Sequence, residues 1–158
     1  MLLLVAIVIG LALIKALALW SSRQAPLVGL AADGRLAPCP PTPNAVNSED
    51  PVPGRRVAPL PYRGSPERTR AAFRAWLADA PRLRLVTTGD DYLHGTVSTR
   101  IFGFVDDVEF RFADEERVIH CRSASRVGQS DLGANRRRLA QWRAAWLAQE
   151  AAAVNAAK

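Results

Sequence analysis

The sequence predicts an α+β fold: an antiparallel meander of four to five strands with two helices packed on one face, preceded by an N-terminal transmembrane helix. Three patterns predict it. The first twenty residues, MLLLVAIVIGLALIKALALW, are apolar apart from Lys15. Residues 83–125 alternate apolar and polar side chains in several short runs, the period of strands with one buried face. Residues 65–80 and 131–151 repeat apolar side chains every three or four positions, the stripe of an amphipathic helix. The order helix, strands, helix leaves a two-layer packing in which both helices cover the same side of the sheet.

Twenty residues in a helix make about 30 Å, the thickness of a bilayer's hydrocarbon core. Lys15 lies close enough to the end for its stem to reach the headgroups, and Trp20 has the character of an interfacial anchor. A secretory signal needs a basic leading region, which is missing, although Ala16-Leu17-Ala18 has the small residues of a cleavage site. The expected protein is therefore single-pass and membrane-tethered, with its soluble domain on the extracytoplasmic side of a cell envelope. Arg23, just after the span, runs against that orientation under the positive-inside rule. The chain divides into a membrane anchor or signal segment (1–22), a proline-rich extended segment (23–64), an α+β domain (65–152) and a disordered tail (153–158).

Ten of the eleven prolines lie between Pro26 and Pro66. Proline lacks the backbone donor that a helix or ladder needs and biases its predecessor toward extended geometry, so this stretch reads as a spacer, with an edge strand over Val57–Tyr62. Ser65-Pro66-Glu67 signals a helix start: a capping hydroxyl, proline in the first position and an acid in the first turn. That helix runs to about Ala80, before Pro81, and buries Thr69, Ala72, Phe73, Trp76 and Leu77. Strands follow at Leu83–Thr88, at Tyr92–Phe102 with Leu93, Val97 and Ile101 inward, around Val108, Phe110 and Phe112, and at Val118–Ser125 after a turn over Ala113–Glu116. The last helix, from Asp131 to about Ala151, offers Leu139, Trp142, Trp146 and Leu147 to the core.

Twenty-one Lys and Arg against fifteen Asp and Glu give a net charge of +6, and these charges are segregated. Six acids and one Arg lie between Asp106 and Glu116, whereas seven Arg and one Asp lie between Arg117 and Arg143. Adjacent blocks of opposite sign neutralise each other within one fold, and together with the membrane segment they argue against nucleic acid as partner. The two histidines, His94 and His120, are too few for a metal site, and His120 and Cys121 point to opposite faces of a strand. Ser98, Ser123 and Ser125 have no spacing that builds a nucleophile with base and orienter. No catalytic residue, metal or cofactor is assigned.

The run RSASRVGQSDLGANRRR supports two readings. In the first, Arg122 and Arg126, with Ser125, Ser130 and Asn135, hold a phosphate or carboxylate at the N-terminus of the last helix, an anion or lipid-headgroup site. In the second, Asp131 caps that helix, Arg122 and Arg126 pair with Asp106 and Asp107, and Asn135 ties helix to sheet. Asp131 favours the second, because it would repel an anion. Arg136, Arg137 and Arg138 read as a solvated face. The leading function is thus a binding or structural module at a membrane surface. The alternative is a cell-envelope enzyme acting on an anionic substrate through Arg126 and Asp106 or Asp107.

The same run, with STRIFGFVDDVEF before it and GRLAPCPPTPN upstream, resembles the bacterial and plastid family catalogued as DUF1499, over roughly Leu27 to Trp146. The resemblance implies an α+β domain behind a membrane or export segment, with no established activity. The family commonly reads CPxxPNC where this chain has Ala45 in the second cysteine position. That departure leaves Cys39 without its local partner, so the resemblance implies either a disulfide to Cys121 or two small buried thiols.

Overall fold

The computed structural model describes residues 1–156. An apolar helix, α1 (Leu2–Arg23), leads into a strand β1 (Ala45–Asn47), a short strand β2 (Leu60–Pro61), helix α2 (Pro66–Ala78), four longer strands and a final helix α3 (Ala134–Ala156). The four strands are β3 (Leu83–Thr88), β4 (Tyr92–Ser98), β5 (Val105–Ala113) and β6 (Val118–Ser125). They form an antiparallel meander in the order β6-β5-β4-β3, and both β1 and β2 pair with the outer edge of β6. The expected α+β architecture is therefore present, with a sheet of six strands.

Local chemistry explains most element ends. The Ser65 side chain accepts a hydrogen bond from the Arg68 N–H at the start of α2, with Pro66 in the first turn, so a donor left over at the helix end is satisfied. The stripe Thr69, Phe73 and Leu77 of α2 is buried. Strand β4 ends at Ser98, short of the expected Phe102. There Thr99 and Phe104 close a loop on themselves, N–H to carbonyl at 2.8 Å and Phe104 N–H to the Thr99 hydroxyl at 2.9 Å, with Gly103 at φ 78°. Ile101, expected inward, is consequently 75% exposed. Helix α3 starts three residues later than expected, because Asp131–Gly133 form a turn with Leu132 and Gly133 both at positive φ. It continues through residues 153–156 of the expected tail; residues 157–158 lie outside the described residues.

The pleat of β5 divides the molecule. Val108, Phe110 and Phe112 face the helices, and they meet Phe73 of α2 and Trp146 of α3 in one core. The Phe73 ring lies edge-on to Phe110 and to Trp146, with centroids 5.0 Å apart in each case, a geometry that adds to area burial. Gly95 of β4 sits under β3: a Cβ there would lie 2.9 Å from Leu83 Cδ1 and 3.0 Å from the Arg84 carbonyl. The opposite face, which carries Asp107, Glu109 and Arg111, is not left to solvent. The proline-rich residues 24–50 lie across it, so that Glu109 is fully buried and Leu36 nearly so. The stretch expected as a spacer supplies both this cover and the strands β1 and β2. At its far end Trp146 Nε1 donates to the Pro61 carbonyl and Arg143 Nε to the Pro59 carbonyl, fastening β2 to α3.

Phe73 is fully buried at the centre of this core. Phe73→Ala is expected to lower unfolding stability by about 3–5 kcal/mol, read from urea denaturation, whereas Val86→Ala on the exposed edge strand is expected to stay within about 0.5 kcal/mol of the wild type.

Candidate functional site on the outer face of the sheet

Register places the charges. The turn after β5 pairs Ala113 with Val118, and counting back along the two strands sets Glu109 opposite Arg122 and Asp106 opposite Ser125. Side chains alternate across the pleat, so Asp107 and Glu109 point to the outer face together with His94 and Tyr92 of β4 and Arg122 of β6. Arg126, just past β6, folds back over them.

Arg126 grips Asp107 with two parallel bonds, Nε to Oδ2 and Nη2 to Oδ1, both 2.8 Å. This is the bidentate fork that gives arginine–carboxylate pairs their strength. His94 Nε2 lies 2.8 Å from Asp107 Oδ1. Burial alone would push the Asp107 carboxyl up, but the bonds from His94 and Arg126 outweigh it and hold the group below its usual range. The Asp107 bond in turn raises the Arg126 guanidinium. Two residues along β5, Glu109 pairs with Arg122 and accepts from the Tyr92 hydroxyl at 2.7 Å and from the Gly29 N–H at 2.7 Å. Burial and then the Glu109 charge push the Tyr92 phenol upward, so it keeps its proton and donates a hydrogen bond to the carboxylate.

The remaining donors reach the last turn of α1 and the chain just after it. Arg126 Nη1 donates to the carbonyls of Ser22 and Gln24, each at 3.2 Å, and Arg122 Nη1 donates to the Leu27 carbonyl at 2.8 Å. The Val105 N–H donates to the Ser21 hydroxyl at 3.2 Å. Two buried ion pairs thus bind, through backbone groups, the segment that joins the apolar helix to the domain. Further along the same face, Glu49 bonds Arg111 at 2.6 Å and the Leu36 N–H at 2.9 Å, and these bonds keep its carboxyl low despite burial, which acts the other way. Among the described residues of this face, Arg122 Nε and His120 Nε2 are buried without a hydrogen-bond partner, and Arg122 is the one of the two at the join with α1. It borders a cavity of about 350 Å³ walled by Pro26, Leu27, Val28, Ala37, Pro38 and Pro40.

The residues expected to bind an anion do not converge. Arg122 and Arg126 lie on the outer face, Ser125 and Asn135 on the helix side, and Ser130 in the loop before α3. On the helix side, Asn135 Nδ2 donates to the Asn44 carbonyl at 2.8 Å and to Ser125 Oγ at 3.1 Å, and its Oδ1 accepts from the Ser123 hydroxyl at 2.6 Å. Asn135 therefore ties helix to sheet, as the second reading expects. Asp131 accepts from the N–H groups of Gly133 and Asn135, which fills the start of α3 with a carboxylate. The ion pairing differs from expectation in two places. Arg122 takes Glu109 rather than Asp106 or Asp107. Asp106, on the helix face, takes Arg138, which is mostly buried rather than part of a solvated run. Asp106 and Asp107 are neighbours in sequence and lie on opposite faces of one strand.

Cys39 and Cys121 are separate buried thiols. Cys121 stands opposite Phe110 in the helix-side core, while Cys39 packs with Ala45 and Ala124 on the outer side. The sheet lies between them, so the expected disulfide is not made in this structure. Burial pushes both thiols up to about 12, aided at Cys39 by the Asp50 carboxylate. His120 Nδ1 lies 3.1 Å from the Ser48 hydroxyl, which accepts from the Cys121 N–H. Among the described residues no group of His, Cys, Asp and Glu is arranged to hold a metal. Sequence reasoning missed Glu109, Arg138, His94, Tyr92 and the acceptors at Ser22, Gln24 and Leu27. The hairpin register sets Glu109 opposite Arg122 only once Ala113 is paired with Val118; the expected turn over Ala113–Glu116 would have set it opposite His120.

A family model described as protein of unknown function (DUF1499) matches residues 35–146. A search of curated proteins finds no match, and neither does a search of solved structures.

Removing one member of a buried pair leaves the other charge without compensation. Arg122→Ala is therefore expected to lower stability by about 3–5 kcal/mol, while the double variant Glu109→Gln with Arg122→Met recovers most of the loss, both read from urea denaturation. Asp107 titrates lower in the folded chain than in the unfolded one, so around its titration the unfolded state binds more protons and stability rises with pH. Its contribution is expected to be complete above about pH 4 and to disappear as the pH falls through the lower folded value. In urea midpoints measured against pH, Asp107→Asn is expected to be less stable than the wild type at neutral pH and to show a shallower acid limb.

Proposed function

We propose that this chain, which belongs to the DUF1499 family of proteins of unknown function, is a membrane-tethered module whose domain is clamped rigidly to the exit of its membrane helix, on the extracytoplasmic side. The helix α1 is long and apolar enough to cross a bilayer, with a mean hydropathy of 2.9 over a window that is almost unburied, and it is buried against the domain only in its last turns, at Ala18 and Ser21. The observation that carries the reading is the direction of the outer-face donors. Arg126 and Arg122 are each committed to a carboxylate, and their remaining bonds go to the carbonyls of Ser22, Gln24 and Leu27. A flexible tether would leave these carbonyls to water. Here the chain between helix and domain is held at Ser22, Gln24, Leu27 and Gly29, which restricts the domain's height and orientation at the membrane surface.

The same geometry speaks against the anion-binding and enzymatic uses of these arginines. Asp107 is 3% exposed and has both oxygens bonded, so a substrate would have to break a charged network to reach it. Asp106 is committed to Arg138 on the other face.

The full chain is expected to remain in the membrane pellet after carbonate extraction, and its domain is expected to be open to protease added outside intact cells. In the double variant Asp107→Asn with Arg126→Met, trypsin is expected to cut after Arg23 at least about tenfold faster than in the wild type. Bonds from a charged donor contribute roughly 1.5–3 kcal/mol, and about 1.4 kcal/mol is a factor of ten. Full-length protein in the soluble fraction at unshortened mass would refute the tether. An unchanged cutting rate would refute the clamp.

A further inference from the structure

Three separate segments bring apolar side chains together where α1 meets the domain. The last turns of α1 contribute Leu17 and Trp20, the β4–β5 loop contributes Phe102 and Phe104, and the loop before α3 contributes Leu132. They line a groove of about 510 Å³. Beside it Ile101 is 75% exposed and Leu132 is 84% exposed. Isolated apolar residues on a surface need no explanation, but a contiguous set around one groove does.

Backbone geometry holds these residues outward. Leu132 sits at φ 51°, a conformation that bulky side chains rarely adopt. It is kept there by its own N–H on the Ser130 hydroxyl, by its carbonyl on Arg137 and by Asp131, which binds the next turn. The β4–β5 loop is closed by the paired Thr99 and Phe104 bonds. Ile101 and Leu132 gain little burial within the chain from this arrangement.

Charge is polarised along the same axis. Arg23, Arg82, Arg100 and Arg137 are exposed around this end, and none of them makes an ion pair among the described residues. The acids in the groove wall are already occupied, Asp106 by Arg138 and Asp131 by backbone N–H groups. The exposed acids Asp90, Asp91, Glu115 and Glu116 lie at the opposite end of the sheet, where Arg63, Arg68 and Arg117 are also exposed, about 30 Å away along β5 at roughly 3.3 Å per residue, and the exposed acid near Arg82 is Asp79.

We infer that this end of the domain is a membrane-docking face, on which Ile101, Phe102 and Leu132 enter the interface of an anionic bilayer and the surrounding arginines contact its phosphates. The inference rests on α1 spanning the membrane. If it does, Trp20 lies at headgroup depth, and the two loops that share a groove with it lie at the same depth. An apolar tip ringed by cations matches an acidic lipid surface, which attracts basic residues and accepts apolar ones. A second copy of the chain would present the same cations and repel.

The test uses full-length protein in vesicles of phosphatidylcholine and phosphatidylglycerol that contain a spin-labelled lipid. Single cysteines are introduced as Leu11→Cys, Ile101→Cys, Leu132→Cys and Glu115→Cys and labelled with an environment-sensitive fluorophore, while the buried native thiols stay unlabelled. Positions 101 and 132 are expected to lose most of their emission to a quencher placed near the headgroups, position 11 to one placed deep in the chains, and position 115 to neither. Replacing phosphatidylglycerol by phosphatidylcholine is expected to weaken the loss at 101 and 132 and leave position 11 unchanged. An unquenched position 11 would overturn the membrane span itself. Full emission at 101 and 132 with position 11 quenched would overturn the docking face alone. Equal quenching without phosphatidylglycerol would overturn the arginine contact with acidic lipid. Quenching at 132 by a spin-labelled second copy in detergent, without quenching by lipid, would assign the face to self-association instead.

Discussion

The paired carboxylates and guanidiniums on the outer face of the sheet, Asp107 with Arg126 and Glu109 with Arg122, are the constraint around which the rest of the molecule is arranged. Charges removed from water are destabilising unless each is paired and its remaining donors and acceptors are filled. Here the filling comes from His94 and Tyr92 on β4 and from the backbone of residues 22–29. The segment after α1 is held because the buried charges need its carbonyls and its N–H, and the charges are buried because that segment covers them. Neither part is satisfied alone, which makes the join between helix and domain cooperative.

This mutual dependence explains the two-sidedness of the sheet. One face packs Phe73, Phe110 and Trp146 in an aromatic core against two helices. The other packs polar side chains against a proline-rich cover. An extended, proline-rich segment offers carbonyls freely and few N–H donors, so it is suited to lie over a face rich in arginine. Where the cover does present donors, carboxylates meet them, as Glu109 does at Gly29, Glu49 at Leu36 and Asp50 at Cys39. The match between donor-poor cover and donor-rich face holds the layer around only a small apolar cluster, Cys39, Ala45 and Ala124.

A rigid join also sets what the domain can present to a membrane. If the tether were flexible, the loops at residues 99–104 and 130–133 would sample many heights, and their exposed apolar side chains would be a liability in water. On the proposed reading the tether is fixed, so that the same side chains lie at one height beside Trp20 with Arg100 and Arg137 around them. The buried network and the exposed tip are two parts of one arrangement. On that reading the first orients the domain and the second is what it orients.

The sequence by itself determined the elements. The apolar first twenty residues, the cap at Ser65 and the alternation through DDVEFRF specify helices and strands through local spacing, which is a property of neighbours along the chain, and DUF1499 membership was legible in the run RSASRVGQSDLGANRRR. Tertiary structure decided what the polar half of each alternating strand faces. Alternation shows that Asp107 and Glu109 lie opposite Val108 and Phe110, but not whether water or another segment covers them. The cover comes from residues 24–50, some eighty positions away in the chain, and no periodicity links the two. The same reason explains the partners that were misassigned. Adjacent Asp106 and Asp107 look like one acidic pair in sequence, yet the pleat sends them to opposite faces, where Arg138 meets one and Arg126 the other. It also separates Cys39 from Cys121, because the side of a sheet on which a distant segment lies is fixed only when the chain is folded.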